Sequence, residues 1–267
     1  MQPTIDQLFA AFCLTLAAGL STGVGSLLAL LARRANRAFL SASLGFSAGV
    51  MVYVSMVELL STARASLEAQ LGARGGAWAA VGAFFGGILL IAVIDRLIPS
   101  EENPHEARAA EEGEAEPRAL MRTGVLTALA LAVHNFPEGL ATFVSALQAP
   151  NVALPVVAAI ALHNIPEGIA VSVPIYHATG SRRRAFWYSF VSGLAEPLGA
   201  VVGYLLLAPV MSQAMLGATL ALVAGVMVFI SIDELLPAAR AYGNAHLSVY
   251  GMIAGMAVMA VSLLLFG

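Results

Sequence analysis

The chain has 267 residues, of which 59% are hydrophobic and 11% are charged, and its mean hydropathy is +0.84. Soluble domains are typically about 45–50% apolar and about 25% charged. This composition excludes a disordered chain, a basic nucleic-acid binder and an ordinary cytosolic enzyme. It predicts a protein whose main solvent is the lipid bilayer. The formal net charge of −3 is too small to indicate a partner.

Eight segments each hold about 20 mainly apolar residues, the length that crosses a bilayer as a helix. The predicted spans are residues 7–32, 38–60, 77–98, 121–147, 152–176, 185–208, 211–236 and 248–266. The predicted fold is therefore all-α, a polytopic membrane protein that forms a single transmembrane domain over residues 1–267.

Arginine supplies all thirteen basic residues and predicts the orientation, because cytoplasmic loops are enriched in basic side chains. With the N-terminus outside, eleven arginines fall in inside loops and only Arg64 and Arg74 fall outside. An even number of spans then puts both termini outside. Asp6 precedes the first apolar run, so we interpret that run as a retained helix and not as a signal peptide.

The one long polar segment, residues 99–122, is predicted to be a flexible cytoplasmic loop between spans 3 and 4. It carries seven glutamates and one histidine, His105. Two interpretations are open: a solvated linker, or a weak metal-collecting loop that uses His105 and the glutamates.

Two internal repeats organise the chain. LAVHNFPEGLA at 131–141 returns as IALHNIPEGIA at 160–170, and AGVMVYVSMVELLSTARA at 48–65 returns as AGVMVFISIDELLPAARA at 224–241. The second pair joins spans 2 and 7, which run in opposite directions. This pattern predicts an inverted repeat that relates spans 1–3 to spans 6–8 around a span 4/5 hairpin, an arrangement typical of transporters.

The doubled H-N-x-P-E-G motif carries the candidate chemistry. Histidine and glutamate four positions apart share a helix face, and asparagine lies three positions from the same glutamate. This spacing suggests two neighbouring sites that share their carboxylates. Counting from the connecting turns puts both copies, and a further glutamate 29 residues beyond the second, at one depth. The candidate metal ligands are His134, Asn135, Glu138, His163, Asn164, Glu167 and Glu196.

Acids at this depth are costly, at about 2.5–3.5 kcal/mol each on insertion scales, and a bound divalent cation would neutralise them. Imidazole, carboxylate and amide oxygen suit Zn, Fe, Mn, Co or Ni. Cys13 is the only cysteine, so no thiolate cluster is available. Three prolines, Pro137, Pro166 and Pro197, are each expected to kink a helix and free backbone carbonyls beside the acids.

Three further acids lie nearer the predicted helix ends: Glu58 toward the outside, and Asp233 and Glu234 toward the cytoplasm. They line an entrance and an exit for the ion, or they sit at the membrane interfaces; both interpretations are open. The small residues of GLSTGVGS and GMIAGMAV are expected to allow close helix packing.

These motifs resemble the ZIP (Zrt/Irt-like) family of divalent metal transporters, and most of all its bacterial ZupT-type branch. The resemblance covers nearly the whole chain. It implies a secondary transporter that takes up Zn²⁺, and also Fe²⁺, Mn²⁺, Co²⁺ or Cd²⁺, into the cytoplasm by alternating access. It also implies a multi-pass protein of the bacterial inner membrane and a homodimer, with the metal ions and the lipid bilayer as its partners. No organic cofactor or nucleic acid is expected.

The resemblance further implies a binuclear centre within the bundle. One site would use His134, Glu138, His163 and Glu167. The other would use Asn135, Glu138, Asn164, Glu167 and Glu196. The family's inner bundle of spans 2, 4, 5 and 7 would put Glu58 on the way in.

Two other functions are weighed against transport. A membrane metalloprotease would need His-Glu-x-x-His, and a di-iron enzyme would need a pair of Glu-x-x-His motifs; the sequence has no His-Glu-x-x-His and no pair of Glu-x-x-His motifs. We therefore do not expect an enzyme. A metal sensor that binds without transport is disfavoured because a static receptor needs no inverted repeat.

Overall fold

The computed structural model describes residues 3–31, 37–97, 117–148, 150–207, 212–242 and 245–266, and these contain helices but no β-strand. The elements are α1 (Ile5–Leu31), α2 (Arg37–Tyr53), the π-helical turn π1 (Val54–Leu59), α3 (Leu60–Leu97), α4 (Pro117–Gln148), α5 (Pro150–Thr179), α6 (Arg182–Gly193), α7 (Ala195–Leu207), α8 (Gln213–Ile230), the π-helical turn π2 (Ser231–Leu235), α9 (Leu236–Tyr242) and α10 (Ala245–Phe266). The all-α prediction is confirmed for this part of the chain.

Five helical stretches among the described residues are long and apolar enough to cross a membrane. They are Ile5–Leu31, Ser41–Val93, Arg182–Leu206, Gln213–Arg240 and His246–Leu265. The helices α4 and α5 are 32 and 30 residues long, but prolines and polar residues interrupt their apolar sequence. The chain is thus a multi-pass membrane protein by composition and by helix length.

The predicted loop at 99–122 ends earlier than expected. The helix α4 begins at Pro117, so residues 117–122 are helical. Proline is favoured in the first turn of a helix, where its missing N–H would have no partner anyway. The rest of the predicted loop, including His105, lies outside the described residues.

The chain reverses abruptly at Gly72, where sequence analysis predicts a loop over 61–76. Gly72 has φ +75° and ψ 160°, a conformation that side-chain-bearing residues rarely adopt. Just beyond it, Gly76 packs against the backbone of Glu68, which shows that the chain doubles back on itself. Helical structure before the reversal therefore extends well past the predicted span end at residue 60.

The helices pack in two sets. One set consists of α1, α4, α5, α6 and α7, and the other of α2, α3, α8, α9 and α10 with both π turns. Within the second set, α3 packs along α8 and α2 along α10. The two sets meet where α5 contacts α2 and α10 and where α4 contacts α8. The helices α2, α4, α5 and α8 therefore lie where the two sets meet.

The π turns occur at the same point of the distant repeat. In each, the amide that follows the turn donates to a serine carbonyl five residues back, Leu60 to Ser55 and Leu236 to Ser231. Single π turns inside α-helices are rare overall, and those that occur are often found at functional sites. Glu58 lies in the first turn, with helix continuing beyond it, and so is not near a helix end as predicted.

Glycines allow two pairs of helices to touch backbone to backbone. A Cβ at Gly139 would collide with the carbonyl oxygen of Glu196, and a Cβ at Gly168 would collide with that of Thr22. The first contact joins α4 to α7, and the second joins α5 to α1. This close approach brings the motif helices within side-chain reach of their neighbours.

The variant Gly139→Ala is expected to destabilise the protein by about 3 kcal/mol, because overpacking against rigid backbone costs up to that amount. The measurement is the thermal unfolding midpoint in detergent. The control Gly86→Ala has no atom within 4 Å of its new Cβ. It is expected to be neutral or to stabilise the helix by up to about 1 kcal/mol. Equal midpoints for the two variants would contradict the close contact.

Candidate metal site

The helices α4 and α5 each carry one copy of the H-N-x-P-E-G motif. Both continue through their prolines, Pro137 and Pro166. The third proline behaves differently, since α6 ends at Gly193 and α7 begins at Ala195, just before Pro197. The helix is interrupted only at Leu194, three residues before Pro197, and the kinks at Pro137 and Pro166 stay predictions.

The polar side chains of the motifs are buried. Six of the seven predicted ligands are at most 1% exposed: Asn135, Glu138, His163, Asn164, Glu167 and Glu196. The seventh, His134, lies on α4, but its side chain is outside the described part of the structure. Fully buried acids are rare unless they have partners. The contacts of each acid are therefore informative.

The two motif copies meet through His163 and Glu138. The Nε2 atom of His163 lies 2.9 Å from Oε1 of Glu138, and both side chains are almost fully buried. Ser47 on α2 donates to the carbonyl oxygen of His163 at 3.2 Å. These contacts link α4 to α5 at the depth of the motifs. They also link α5 to α2, which belongs to the other set of helices.

Asn164 links α5 to two further helices. Its Nδ2 donates to Oε2 of Glu196 at 2.8 Å and to the carbonyl oxygen of Ala18 at 3.1 Å. Since both acceptors require the amide nitrogen, the orientation of the amide is determined and Oδ1 points elsewhere. Among the described residues, Oδ1 of Asn164 and Oε1 of Glu196 are buried without a hydrogen-bond partner. Two acceptor oxygens are therefore available to a cation.

Three acids act on one another in this cluster. Glu138, Glu167 and Glu196 are each at most 1% exposed, so water screens their like charges poorly. The sequence has no lysine and no arginine between residues 123 and 181 or between 185 and 208. Repulsion between buried carboxylates at close range favours either protonation or a bound cation.

The side chains are paired rather than gathered around one point. Among the described residues, no three His, Cys, Asp or Glu side chains converge in the way a metal site requires. Instead, His163 contacts Glu138 and Asn164 contacts Glu196 through their polar atoms. A cation would have to replace part of these contacts. The assignment of the seven residues as metal ligands stays a prediction.

Comparison with known proteins identifies the family. The sequence pattern of the ZIP zinc transporters matches residues 96–263. The chain is 62% identical to the zinc transporter ZupT of Streptococcus mutans over 98% of its own length and 99% of that protein. It is 56% identical to ZupT of Clostridium perfringens over 98% of each chain, and 59% identical to ZupT of Oceanobacillus iheyensis over 98% and 99%.

The chain belongs to the ZIP zinc transporter family. The resemblance seen in the sequence, including its ZupT type, is confirmed. ZIP proteins are transporters, so the chain is not expected to be an enzyme, and the prediction against a metalloenzyme is confirmed as well. Zinc is the ion that this membership supports.

The acids predicted to lie along a pathway are outside the buried ZIP motif cluster. Glu58 is half-buried in π1 and accepts a hydrogen bond from Thr62 at 3.3 Å. Asp233 is half-buried in π2, and the side chain of its neighbour Glu234 is outside the described part. The structure brings neither Glu58 nor Asp233 into the set of fully buried acids.

A small cavity reaches the ZIP motif from the second set of helices. It is lined by three polar residues of α4, namely Glu138, Thr142 and Ser145, and by apolar residues of π1, α5 and α8. The cavity therefore lies beside the buried side chain of Glu138.

Sequence reasoning missed the part played by α1 and α2. Ala18 contributes a carbonyl oxygen and Ser47 contributes a hydroxyl, and neither residue was among the predicted site residues. Any residue can supply a backbone carbonyl, so the sequence does not reveal that Ala18 acts as an acceptor. The repeat of glycine positions between GLSTGVGS and GLAEPLGA could have indicated α1, because equivalent glycines imply equivalent crossings.

The variant Asn164→Leu is expected to lower stability by about 1–3 kcal/mol, because it leaves Oε2 of the buried Glu196 without its donor. Thermal unfolding of the purified protein in metal-free detergent measures this. The control Ser172→Ala removes a buried hydroxyl on the same helix that bonds only locally, to Ile169 at 3.4 Å. A loss no larger than that of the control would contradict the described role of Asn164.

Proposed function

We propose that this protein takes up divalent metal ions across the bacterial inner membrane, with Zn²⁺ as the main ion and Fe²⁺, Mn²⁺, Co²⁺ and Cd²⁺ as further ions. One observation carries the proposal: Glu138, Glu167 and Glu196 are each at most 1% exposed, and the sequence has no lysine or arginine between residues 123 and 181 or between 185 and 208. A divalent cation supplies the missing positive charge. Membership of the ZIP family and the near-full-length similarity to proteins named zinc transporter ZupT support zinc.

The proposed centre is binuclear. One ion would be held by His134, Glu138, His163 and Glu167. The other would be held by Asn135, Glu138, Asn164, Glu167 and Glu196. Carboxylates shared between two cations reduce repulsion among the acids, and nitrogen with oxygen donors suits zinc and neighbouring divalent metals. The unpartnered oxygens of Asn164 and Glu196 support the second of these sites.

The proposed membrane arrangement has eight spans. Of the five candidate stretches, Ser41–Val93 reverses at Gly72 and so would cross twice. The lengths of α4 and α5 allow one crossing each. The arginine distribution supports both termini outside. A homodimer is part of the proposal on the family resemblance alone.

The proposed transport cycle is alternating access between two halves related by an inverted repeat. Three observations support it: the two sets of helices, the π turns at equivalent points of the distant repeat, and the matching glycine crossings of α4 with α7 and of α5 with α1. Inverted repeats that surround a site near the midplane are typical of such transporters. In this scheme Glu58, Asp233 and Glu234 lie along the route of the ion, and the cavity beside Glu138 belongs to that route.

The variants Glu138→Gln and Glu167→Gln are expected to lower zinc uptake by about 100-fold, because each removes a charged ligand while keeping the side-chain size. Uptake is measured in proteoliposomes with an internal zinc-sensitive dye. The control Glu68→Gln removes an acid that pairs with Arg64 at 2.6 Å on the surface. It is expected to transport normally. Wild-type uptake by the Glu138 and Glu167 variants would refute the proposed site.

Zinc is also expected to stabilise the folded protein. A ligand present at about 100 times its Kd raises the free energy of unfolding by about 2.7 kcal/mol through mass action. The unfolding midpoint should rise with zinc, return after chelation, and stay unchanged in Glu138→Gln. Stabilisation of the wild type without any uptake in liposomes would instead identify a non-transporting metal sensor.

A further inference from the structure

The helix α1 crosses α5 in the way that the α6–α7 segment crosses α4. Asn135 donates to the carbonyl oxygen of Ser192 at 3.3 Å, and Asn164 donates to that of Ala18 at 3.1 Å. Four residues further along, the carbonyl oxygens of Glu196 and Thr22 meet Gly139 and Gly168. Both comparisons pair a residue of α1 with the residue 174 positions later. Thr22 is therefore the structural counterpart of Glu196.

The side chains of this pair start from equivalent places. Gly19 and Gly193 contact each other's carbonyl oxygens where α1 and α6 cross. The Cβ of Glu196 lies 3.3 Å from the position of a Cβ at Gly19, and the Cβ of Thr22 lies 2.9 Å from the position of a Cβ at Gly193. Each side chain therefore leaves its helix toward the glycine of the other, and both enter the space between α1 and the α6–α7 segment.

The hydroxyl of Thr22 differs from those of four other helical threonines in the described chain. Thr15, Thr142, Thr179 and Thr219 each donate to the carbonyl four residues back, at 2.7–2.9 Å. For Thr22 that carbonyl belongs to Ala18, which already accepts from Asn164. Thr22 is 0% exposed, and its Oγ1 has no hydrogen-bond partner among the described residues. A buried hydroxyl without a partner costs stability, so it needs another explanation.

We propose that Thr22 is a further residue of the metal site, a neutral oxygen ligand that takes the place in one half which the Glu196 carboxylate takes in the other. This inference rests on the proposed transport function. The hydroxyl of Thr22 would contact the ion directly or hold one of the ion's water molecules, on the side of the site where Asn135 lies. Ser26, one turn further on the same helix, is also 0% exposed with an unpartnered hydroxyl, and it extends this polar line.

A neutral oxygen at this position has a consequence for transport. A fourth carboxylate would bind divalent ions more tightly, whereas conduction requires binding that is weak enough for the ion to leave. Thr22 adds an oxygen donor without adding charge. The two halves therefore share a backbone arrangement but contribute different charges to the ion.

The test uses the full chain with Thr22→Val, which keeps the side-chain shape and removes the hydroxyl. We expect the Kd for Zn²⁺, measured by titration of the purified protein in lipid nanodiscs, to rise about tenfold, and zinc uptake to fall. The unfolding midpoint in metal-free buffer should stay the same or rise, because the lost hydroxyl had no partner. Thr22→Ser should restore binding. If Thr22→Val does not fold, Thr22→Ala takes its place, and the same changes in Kd and uptake are expected.

The matched control is Thr15→Val on the same helix, whose hydroxyl donates to Ala11 at 2.9 Å. It should keep the Kd for Zn²⁺ and lose stability. Wild-type affinity and uptake in Thr22→Val, together with zinc binding lost in Glu138→Gln, would overturn the assignment of Thr22 and leave the proposed function standing. Wild-type affinity in Glu138→Gln as well would overturn both.

Discussion

The dominant constraint on this molecule is the burial of three carboxylates in stretches of the chain that contain no lysine or arginine. Glu138, Glu167 and Glu196 are each at most 1% exposed, so water does not solvate them. Their charge must be met by polar groups from neighbouring helices, since buried charges without partners are strongly destabilising. His163 and Asn164 supply the described contacts, at 2.9 Å and 2.8 Å.

The helices that carry these acids also lie very close to their neighbours. Gly139 and Gly168 permit this, because a Cβ at either position would collide with a carbonyl oxygen of the next helix. The glycines that follow the glutamates in both motif copies therefore serve the acids beside them. In each motif copy, the polar residues supply the chemical groups, and the glycine allows the neighbouring helix to approach closely.

The two crossings share a backbone plan but differ in two side chains. Where α1 has Gly23, the other segment has Pro197, and only that segment breaks, because proline cannot donate to the carbonyl four residues back. Where α1 has Thr22, the other segment has Glu196. Because α1 and the α6–α7 segment keep their packing glycines but differ in a polar residue, they pack in the same way and contribute different chemical groups.

The sequence by itself determined the membrane character, the all-α class, the ZIP family and the residues of the candidate site, because apolar length and a doubled polar motif are local features of the chain. The beginning of α4 at Pro117 and the helix that continues from residue 60 to the reversal at Gly72 were misjudged, because helices end where backbone geometry and packing allow and not where apolar character fades. Only the tertiary structure decided that Ala18, Ser47 and Thr22 lie beside the motifs. Their contributions are backbone acceptors and single hydroxyls from helices distant in sequence, and such groups acquire their meaning from the neighbours that folding brings to them.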